Sequence, residues 1–518
     1  MAEKVTNRTE RAVKGTLVSF LQYGTQIILQ LFLAPLVLRM AGQETLGAYA
    51  LLMQVLGYLA MLDLGISVSL NVFMAKANGY DDSGKRLRDV LSTARTFLCV
   101  SNTIVTIFIL LLSIKVELFF SSSPHTMDSV RYGLFMLAAW QLLKSPWSMY
   151  GIGLNATQNL ATVNFIGIVG NAARLVFSLG FLAMGFGLSG LVLGNILAEV
   201  LNFALSTWKF LRLYPSLRPS WGIPDKALLK EMLAFGLQSM VISVAWRLVY
   251  LTDNIVVGYL YGAVAVSIYY STQMPTTIAF NIVNRVHDSA SPALNELSAR
   301  REESKLRDPF LRLHRFSLLL ALPLAGGILL LNKQLITLWL GSGQYAGDLM
   351  TASLAAFVIL TTVNHLSFIF FISSGRIFVF GIIGIIEGLA NLGLSIWLGK
   401  VIGLEGVMLA SIIASLPATV LVLYISMRRL GIGVPEYLTS CVFRALVPIA
   451  IGYPAAMLSG SLIQGKGWFS FITQGTTLVL VYGSIAYKLC LTQTERESVS
   501  TRFLMLVQHL PGVKPVRV

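Results

Sequence analysis

The chain predicts an all-α polytopic membrane protein of about fourteen transmembrane helices, built as two pseudo-symmetric six-helix bundles plus two C-terminal helices. Three observations predict it. Of 518 residues, 55% are hydrophobic and 12% charged, and the mean hydropathy is +0.72; a soluble domain carries roughly 25% charged residues. Apolar runs recur that reach the about 20 residues a helix needs to cross a bilayer. These runs are continuous rather than alternating, which argues against a transmembrane β-barrel. Finally, Lys and Arg collect on one side of the map those runs define.

The N-terminus, MAEKVTNRTERAVKG, is basic and opens an apolar run that continues to about Leu38. That run is too long for the core of a signal peptide, and no A-x-A-type cleavage site follows, so it reads as an uncleaved first span. The fourteen spans fall at 15–38, 45–74, 91–114, 131–154, 160–184, 186–211, 232–258, 262–289, 312–332, 346–372, 376–399, 403–426, 443–463 and 468–490. With the N-terminus in the cytoplasm, 29 of the 39 basic residues lie on the cytoplasmic side. Six lie outside: Arg39, Lys115, Arg131, Lys333, Lys400 and Lys466. A missed span would move every later loop to the other face, so this split supports fourteen spans with both termini inside. The net charge of +15 thus reads as membrane topology, not nucleic-acid binding.

The domain organisation follows. Residues 1–214 form an N-terminal bundle of spans one to six. Residues 215–231 form a cytoplasmic linker with a short amphipathic helix that Asp225 can cap. Residues 232–430 form a C-terminal bundle of spans seven to twelve, and 431–518 hold the two extra spans and a cytoplasmic tail. The linker LRLYPSLRPSWGIPDKALLKEML is polar and interrupted by Pro. The two bundles carry weak internal symmetry, FLQYG…GQETLGAYALLMQ against FGLQS…GAVAVSIYYSTQ. Gly42 and Gly262 each precede a tyrosine, Tyr49 and Tyr269, by seven residues. Such symmetry is what duplicated transporter folds show.

Several chemistries lack their residues. The three cysteines, Cys99, Cys441 and Cys490, give neither a disulfide framework nor a CxxC site and read as small buried hydrophobes. No Walker loop, HExxH or GxSxG occurs. The five histidines, His125, His287, His314, His365 and His509, are scattered along the chain without metal-ligand spacing. His365 lies in span ten and reads as a core histidine, with a proton-linked role as the alternative.

Eight ions inside spans carry the main signal: Arg95, Lys144, Arg174 and Arg247, and Asp63, Glu199, Asp253 and Glu387. Each costs about 2.5–3.5 kcal/mol at the bilayer centre, so eight facing lipid would cost roughly 20–28 kcal/mol. They must face one another, a span end or water. Arg95 lies near the inner end of span three and can snorkel. On a continuous helix Arg247 and Asp253 would stand about 240° apart and about 9 Å along the axis, which excludes a simple pair. Arg174, Arg247 and Lys144 are candidate cavity cations suited to an anionic ligand such as phosphate, which Arg can grip bidentately. The alternative for each is a buried bridge to Glu199, Glu387 or Asp63. Asp63, Glu199, Asp253 and Glu387 are candidate coupling acids or structural pins.

Helix breakers suit a moving bundle. Pro35, Pro146, Pro275, Pro323, Pro417 and Pro448 lie within or at the ends of spans. Gly190/Gly194 and Gly384/Gly388 have the GxxxG spacing that permits close helix approach.

Two stretches carry a family resemblance. LGAYALLMQVLGYLAMLDLGISVSLNVFMAKA resembles the second span of Wzx-type lipid-linked oligosaccharide flippases. YLTDNIVVGYLYGAVAVSIYYSTQMP, followed by ASPALNELSA, resembles their seventh and eighth spans and the next loop. These flippases belong to the multidrug/oligosaccharidyl-lipid/polysaccharide exporter (MOP) superfamily. The resemblance implies two bundles around a central cationic cavity, a role that falls here to Arg174, Arg247 and Lys144. It implies a non-enzymatic transporter in the bacterial inner membrane, serving surface polysaccharide or lipopolysaccharide biosynthesis. Its cargo would be an undecaprenyl-diphosphate-linked oligosaccharide, moved from cytoplasmic to periplasmic leaflet by alternating access. Expected partners are the lipid-linked diphosphate, membrane lipids, a glycan polymerase and a chain-length regulator, with no nucleic acid. No cofactor is expected beyond a coupling H+ or Na+. The competing readings are a cation-coupled multidrug exporter of the same superfamily and a membrane glycan polymerase or ligase. The latter chemistry needs a large outer loop, and none is seen here.

Overall fold

A computed structural model describes residues 2–59, 65–77, 85–118, 122–217, 224–299, 303–373, 377–463, 467–493 and 495–497. Asp63, the middle of the linker (218–223) and the tail beyond 497 lie outside the described residues. Among the described residues there is no strand. Sixteen α-helices follow in order. They are α1 (Ala2–Leu59), α2 (Ile66–Ala77), α3 (Lys85–Ile114), α4 (Pro124–Lys144), α5 (Ser148–Ala156), α6 (Leu160–Ala183), α7 (Gly187–Leu213) and α8 (Lys226–Tyr250). Then come α9 (Thr252–Ala299), α10 (Arg307–Trp339), α11 (Asp348–Ser373), α12 (Ile377–Ile402), α13 (Leu404–Arg429), α14 (Val434–Tyr437), α15 (Arg444–Leu462) and α16 (Trp468–Ile485).

Twelve helices are long and apolar enough to cross a membrane, so the chain is an all-α, multi-pass membrane protein. The kinked α1 counts once among the twelve. The 21 residues of α4 rise about 30 Å, the thickness of a bilayer core. α4 is not apolar enough to be counted among the twelve, so the expected count of about fourteen is approximate.

Local chemistry explains the boundaries. Ser123 caps α4 by accepting from the Thr126 amide, with Pro124 in the first turn where its missing N–H is harmless. The fourth span is not the unbroken 131–154 expected: α4 stops at Lys144, and α5 begins at Ser148 after a turn at Ser145–Trp147. Pro146 sits in that turn, where it removes a helical donor and disfavours helix in the residue before it. Asp225 accepts from the amides of Ala227 (2.9 Å) and Leu228 (3.2 Å), and α8 then runs unbroken to Tyr250. The expected short amphipathic helix and span seven are therefore one element. Span seven also ends earlier than expected, because Leu251 breaks the helix between α8 and α9.

The sequence symmetry reappears in the backbone. Within α1, Gly42 has φ 84° and ψ 173°; within α9, Gly262 has φ 81° and ψ −176°. Both occupy a region that only glycine enters without strain. Each half of the sequence therefore turns its second span at a glycine seven residues before a buried tyrosine, Tyr49 or Tyr269.

Packing divides the chain into two compact units. Unit 1 holds residues 1–274, 339–350 and 376–418; unit 2 holds 275–338, 351–375 and 419–518. In unit 1, α6 packs on α1 and α7, α8 on α12, and α2 on α5 and α8. Its core includes the fully buried Met74, Leu91, Met149, Phe210 and Met232. Both GxxxG pairs sit at tight crossings. A Cβ on Gly194 would lie 2.6 Å from the Ser178 amide nitrogen on α6, and one on Gly388 would lie 2.3 Å from Leu248 Cβ on α8. The tightest approach joins the two sequence halves: a Cβ on Gly47 would lie 1.7 Å from the Ala263 carbonyl oxygen. In unit 2, α15 packs on α16, and the Tyr482 hydroxyl donates to the Leu319 carbonyl of α10 (2.9 Å). The half-buried Arg315 pairs with Glu495 at 2.5 Å.

Candidate functional site

The in-span charges of unit 1 fall into three groups. The first lies in the N-terminal half. Glu199 on α7 accepts from the Trp140 indole of α4 at 2.6 Å, and Lys144 Nζ, one turn further along α4, lies 3.7 Å from the same carboxylate oxygen. The spacing of four residues puts Trp140 and Lys144 on one face. Trp140 is fixed edge-on against Phe203 of α7. Arg174 on α6 is half-buried, and its Nε is buried without a hydrogen-bond partner among the described residues. Both Arg174 and Glu199 act electrostatically on the hydroxyl of Tyr49. Two expected site residues, Lys144 and Glu199, are thus brought together with Trp140 and Phe203, which charge alone did not mark, while Arg174 reaches the group only through the field it shares with Glu199 at Tyr49. Lys144 makes one of the bridges weighed for it; Arg174 keeps an unused donor.

The second group surrounds Asp253, which is 5% exposed. Oδ2 accepts from Tyr269 (3.0 Å) and Ser411 (2.9 Å), and Oδ1 faces the Asn391 amide nitrogen at 3.4 Å. Ser395 donates to Asn391 Oδ1 (3.0 Å) and lies 3.4 Å from the Val407 carbonyl. No ion pair reaches Asp253 among the described residues. Nearby, the buried Glu387 of α12 hydrogen-bonds Ser415 of α13 and acts on the Tyr250 hydroxyl. Asp253 is therefore a buried carboxylate met by three donors, two hydroxyls and one side-chain amide N–H. A carboxylate oxygen is a hard ligand that suits a proton or a hard cation rather than a soft metal. The signal was present in sequence as small polar residues four apart, Asn391/Ser395 and Ser411/Ser415, on otherwise apolar helices.

The third group joins the sequence halves. Arg247 Nε donates to the Gly57 carbonyl at 2.6 Å, and its Nη1 lies 3.3 Å from Ser243 O on its own helix. The Tyr58 hydroxyl donates to the Arg247 carbonyl (3.0 Å) and pairs with the Thr252 hydroxyl. Gln54 donates to the Leu251 carbonyl (2.9 Å) and accepts from Asn254 (3.1 Å). Arg247 and Asp253 do not pair, but for a reason other than helical phase: the break at Leu251 puts them on different helices. Arg95, in the first half of α3, is 6% exposed.

The histidines are not scattered in space. His287, His314 and His365 meet in unit 2, where α9, α10 and α11 come together. Sequence gave no cue, since 27 and 51 residues separate them. Among the described residues no cluster of His, Cys, Asp and Glu could hold a metal ion.

Twin glycine kinks, buried ions and a polar seam between the sequence halves define a polytopic helical membrane protein, and comparison with known proteins gives its family and fold. Residues 36–346 match the family described as polysaccharide biosynthesis protein, and the chain belongs to that family. Among solved structures, the lipid II flippase MurJ in an inward closed conformation matches at TM-score 0.70 and 17% identity, over 95% of this chain and 100% of that one. An inward-facing multidrug resistance MATE family transporter of the MOP superfamily matches at TM-score 0.68 and 17% identity, over 81% and 98%. A MOP superfamily transporter from Pyrococcus furiosus Vc1 matches at TM-score 0.61 and 17% identity, over 81% and 95%. At these identities the likeness is one of fold. No curated protein sequence matches the chain. The chain is thus a member of the polysaccharide biosynthesis protein family with a fold shared by MurJ and by MATE transporters of the MOP superfamily.

Proposed function

We propose that the protein flips a lipid-linked oligosaccharide diphosphate from the cytoplasmic to the periplasmic leaflet of a bacterial inner membrane, with both termini in the cytoplasm. The observation that carries this reading is Arg174, a half-buried guanidinium whose buried Nε has no acceptor among the described residues. A buried donor left unmade costs about 1–3 kcal/mol, which an anionic ligand would recover. Tyr49 and the Lys144–Glu199–Trp140 cluster supply further polar groups beside it. The charge asymmetry of 29 basic residues against six supports the orientation. Arg247 is assigned to a different task. Its bond to Gly57 holds the two halves together, so it opens and closes the path rather than gripping cargo. Asp253, a buried carboxylate among hydroxyl and amide donors, is assigned to a coupling cation, Na+ or H+. The membrane partners of this reading are the lipid-linked diphosphate and, downstream, a glycan polymerase and a chain-length regulator.

The test is replacement in cells that depend on this chain for surface glycan. Arg174→Gln should lower surface glycan by tenfold or more, since a charge-assisted hydrogen bond is worth about 1.5–3 kcal/mol. Arg174→Lys should restore part of it. Normal glycan with Arg174→Gln removes the assignment.

A further inference from the structure

We propose that unit 2 carries a binding site for the headgroup of an anionic phospholipid, built by Arg444 and Lys488 where one end of α10, α15 and α16 comes together. The inference goes beyond the transport reading and does not depend on it. Two buried cysteines tie the three helix ends. The Cys441 thiol donates to the Leu311 carbonyl of α10 (3.3 Å), and the Cys490 thiol donates to the Arg444 carbonyl of α15 (3.0 Å). Each cysteine sits in a π-helical turn: Leu438–Phe443 leads into α15, and Ala486–Cys490 extends α16. Such turns are rare and gather at functional sites. Arg315 and Arg444 both act electrostatically on the two thiols, so the three ends share one basic neighbourhood.

The acids of that neighbourhood are already engaged, and two cations are left over. Glu436 is held by Arg307 at 2.7 Å. Glu495 is held by Arg315 at 2.5 Å and faces the exposed Arg312 at 3.7 Å. Arg496 donates to the carbonyls of Leu491 and Lys488, which clamps the turn that presents Lys488. Arg444 and Lys488 are exposed, and among the described residues neither side chain has an ion pair or a hydrogen bond.

Depth and surroundings select the ligand. The rise from Arg444 to Leu462 along α15 is about 27 Å, and from Trp468 to Lys488 along α16 about 30 Å. Each matches the about 30 Å of a bilayer core, so both cations stand at headgroup level. The Cβ of Arg444 is tilted toward the start of its helix, away from the core. Phe443 precedes Arg444, Tyr487 and Leu489 flank Lys488, and all three are exposed on membrane-spanning helices, where they face acyl chains. Apolar side chains for the tails beside cations for a phosphate match the two parts of a phospholipid; a free phosphate would use only the second. The Arg444 fork suits a phosphodiester bidentately, and Lys488 adds a point charge. A zwitterionic lipid brings its own ammonium, so two unpaired cations favour a lipid of net negative charge.

The test measures lipid retained by the purified full-length protein, by native mass spectrometry, from micelles holding equal phosphatidylglycerol and phosphatidylcholine. Each Lys or Arg near an anionic lipid is worth about a factor of five, so wild type should prefer phosphatidylglycerol by about twentyfold. Arg444→Gln and Lys488→Gln should each lower that preference by about fivefold, and the double variant should come near parity. A charge-matched control, Lys333→Gln with Lys400→Gln, removes two exposed cations elsewhere and should leave it unchanged. No preference in wild type, an unaltered preference in the double variant, or an equal loss in the control would each overturn the proposal. Displacement of the lipid by inorganic phosphate at matched ionic strength would do so too, by marking a site for a free anion. Melting temperature gives a second reading. Phosphatidylglycerol should raise it for wild type and not for the double variant, and an equal rise in both removes the site.

Discussion

The two sequence halves share a backbone device and differ in the chemistry they hang on it. Gly42 and Gly262 adopt nearly the same non-helical conformation, and each leads to a buried tyrosine seven residues on. Tyr49 then stands in the field of Arg174 and Glu199, whereas Tyr269 donates to Asp253. Of the in-span ions, the N-terminal half holds Arg95, Lys144 and Arg174 with Asp63 and Glu199, and the C-terminal half holds Asp253 and Glu387 among hydroxyls with Arg247 alone as a base. The backbone device is thus shared while the side chains around the two tyrosines differ, and under the proposed function one set meets an anion and the other a cation.

The largest effect should come from removing the contact that joins the halves. Gly47→Leu would drive a side chain into the Ala263 backbone, which cannot yield as a flexible side chain would. Overpacking of this kind costs about 1–3 kcal/mol and sometimes more. Loss of a monodisperse peak in size-exclusion chromatography is expected; a normal melting temperature would show that the halves do not need this approach. Next, Asp253→Asn keeps the shape but removes the charge proposed to meet the cation. Sodium binding to the reconstituted protein should weaken by more than about tenfold, because interactions with an ionised group are worth about 1.5–3 kcal/mol. Unchanged binding would leave the C-terminal set without a coupling role.

Gly42→Ala and Gly262→Ala sharpen the symmetry. Each forces a side chain into a glycine-only region, at about 1–3 kcal/mol. Thermal melts should fall by similar amounts for the two, and a large inequality would mean that the kinks are not equivalent. Tyr58→Phe should have the smallest effect. It removes the hydroxyl that meets the Arg247 carbonyl and Thr252, worth about 1 kcal/mol per bond. Cysteine cross-linking across the Gln54–Asn254 seam should slow modestly, and an unchanged rate would show that Arg247 and Gln54 hold the seam alone.

Much of the fold was legible in residues. Continuous apolar runs gave the helices, because a bilayer admits no other open-chain solution. The seven-residue spacing after Gly42 and Gly262 marked the repeat, and the GxxxG pairs marked close crossings. The fourth and seventh spans were drawn too long, since hydropathy is blind to a break such as Leu251 or the turn containing Pro146. The site was legible only as a roster of charges. Arg174, Lys144 and Glu199 could be named as bases and an acid inside spans, but their neighbourhood with Trp140 and Tyr49 could not. Asn391, Ser395 and Ser411 carry no charge and left only a faint four-residue period.

By itself the sequence determined that this protein spans a membrane many times, repeats itself once and carries ions inside its spans. Each of those facts depends on transfer free energy or chain spacing, and both are local properties. Which ion faces which neighbour was decided by tertiary structure. Arg247 meets Gly57, 190 residues away, and His287 meets His365, 78 residues away, because packing selects partners without regard to distance along the chain.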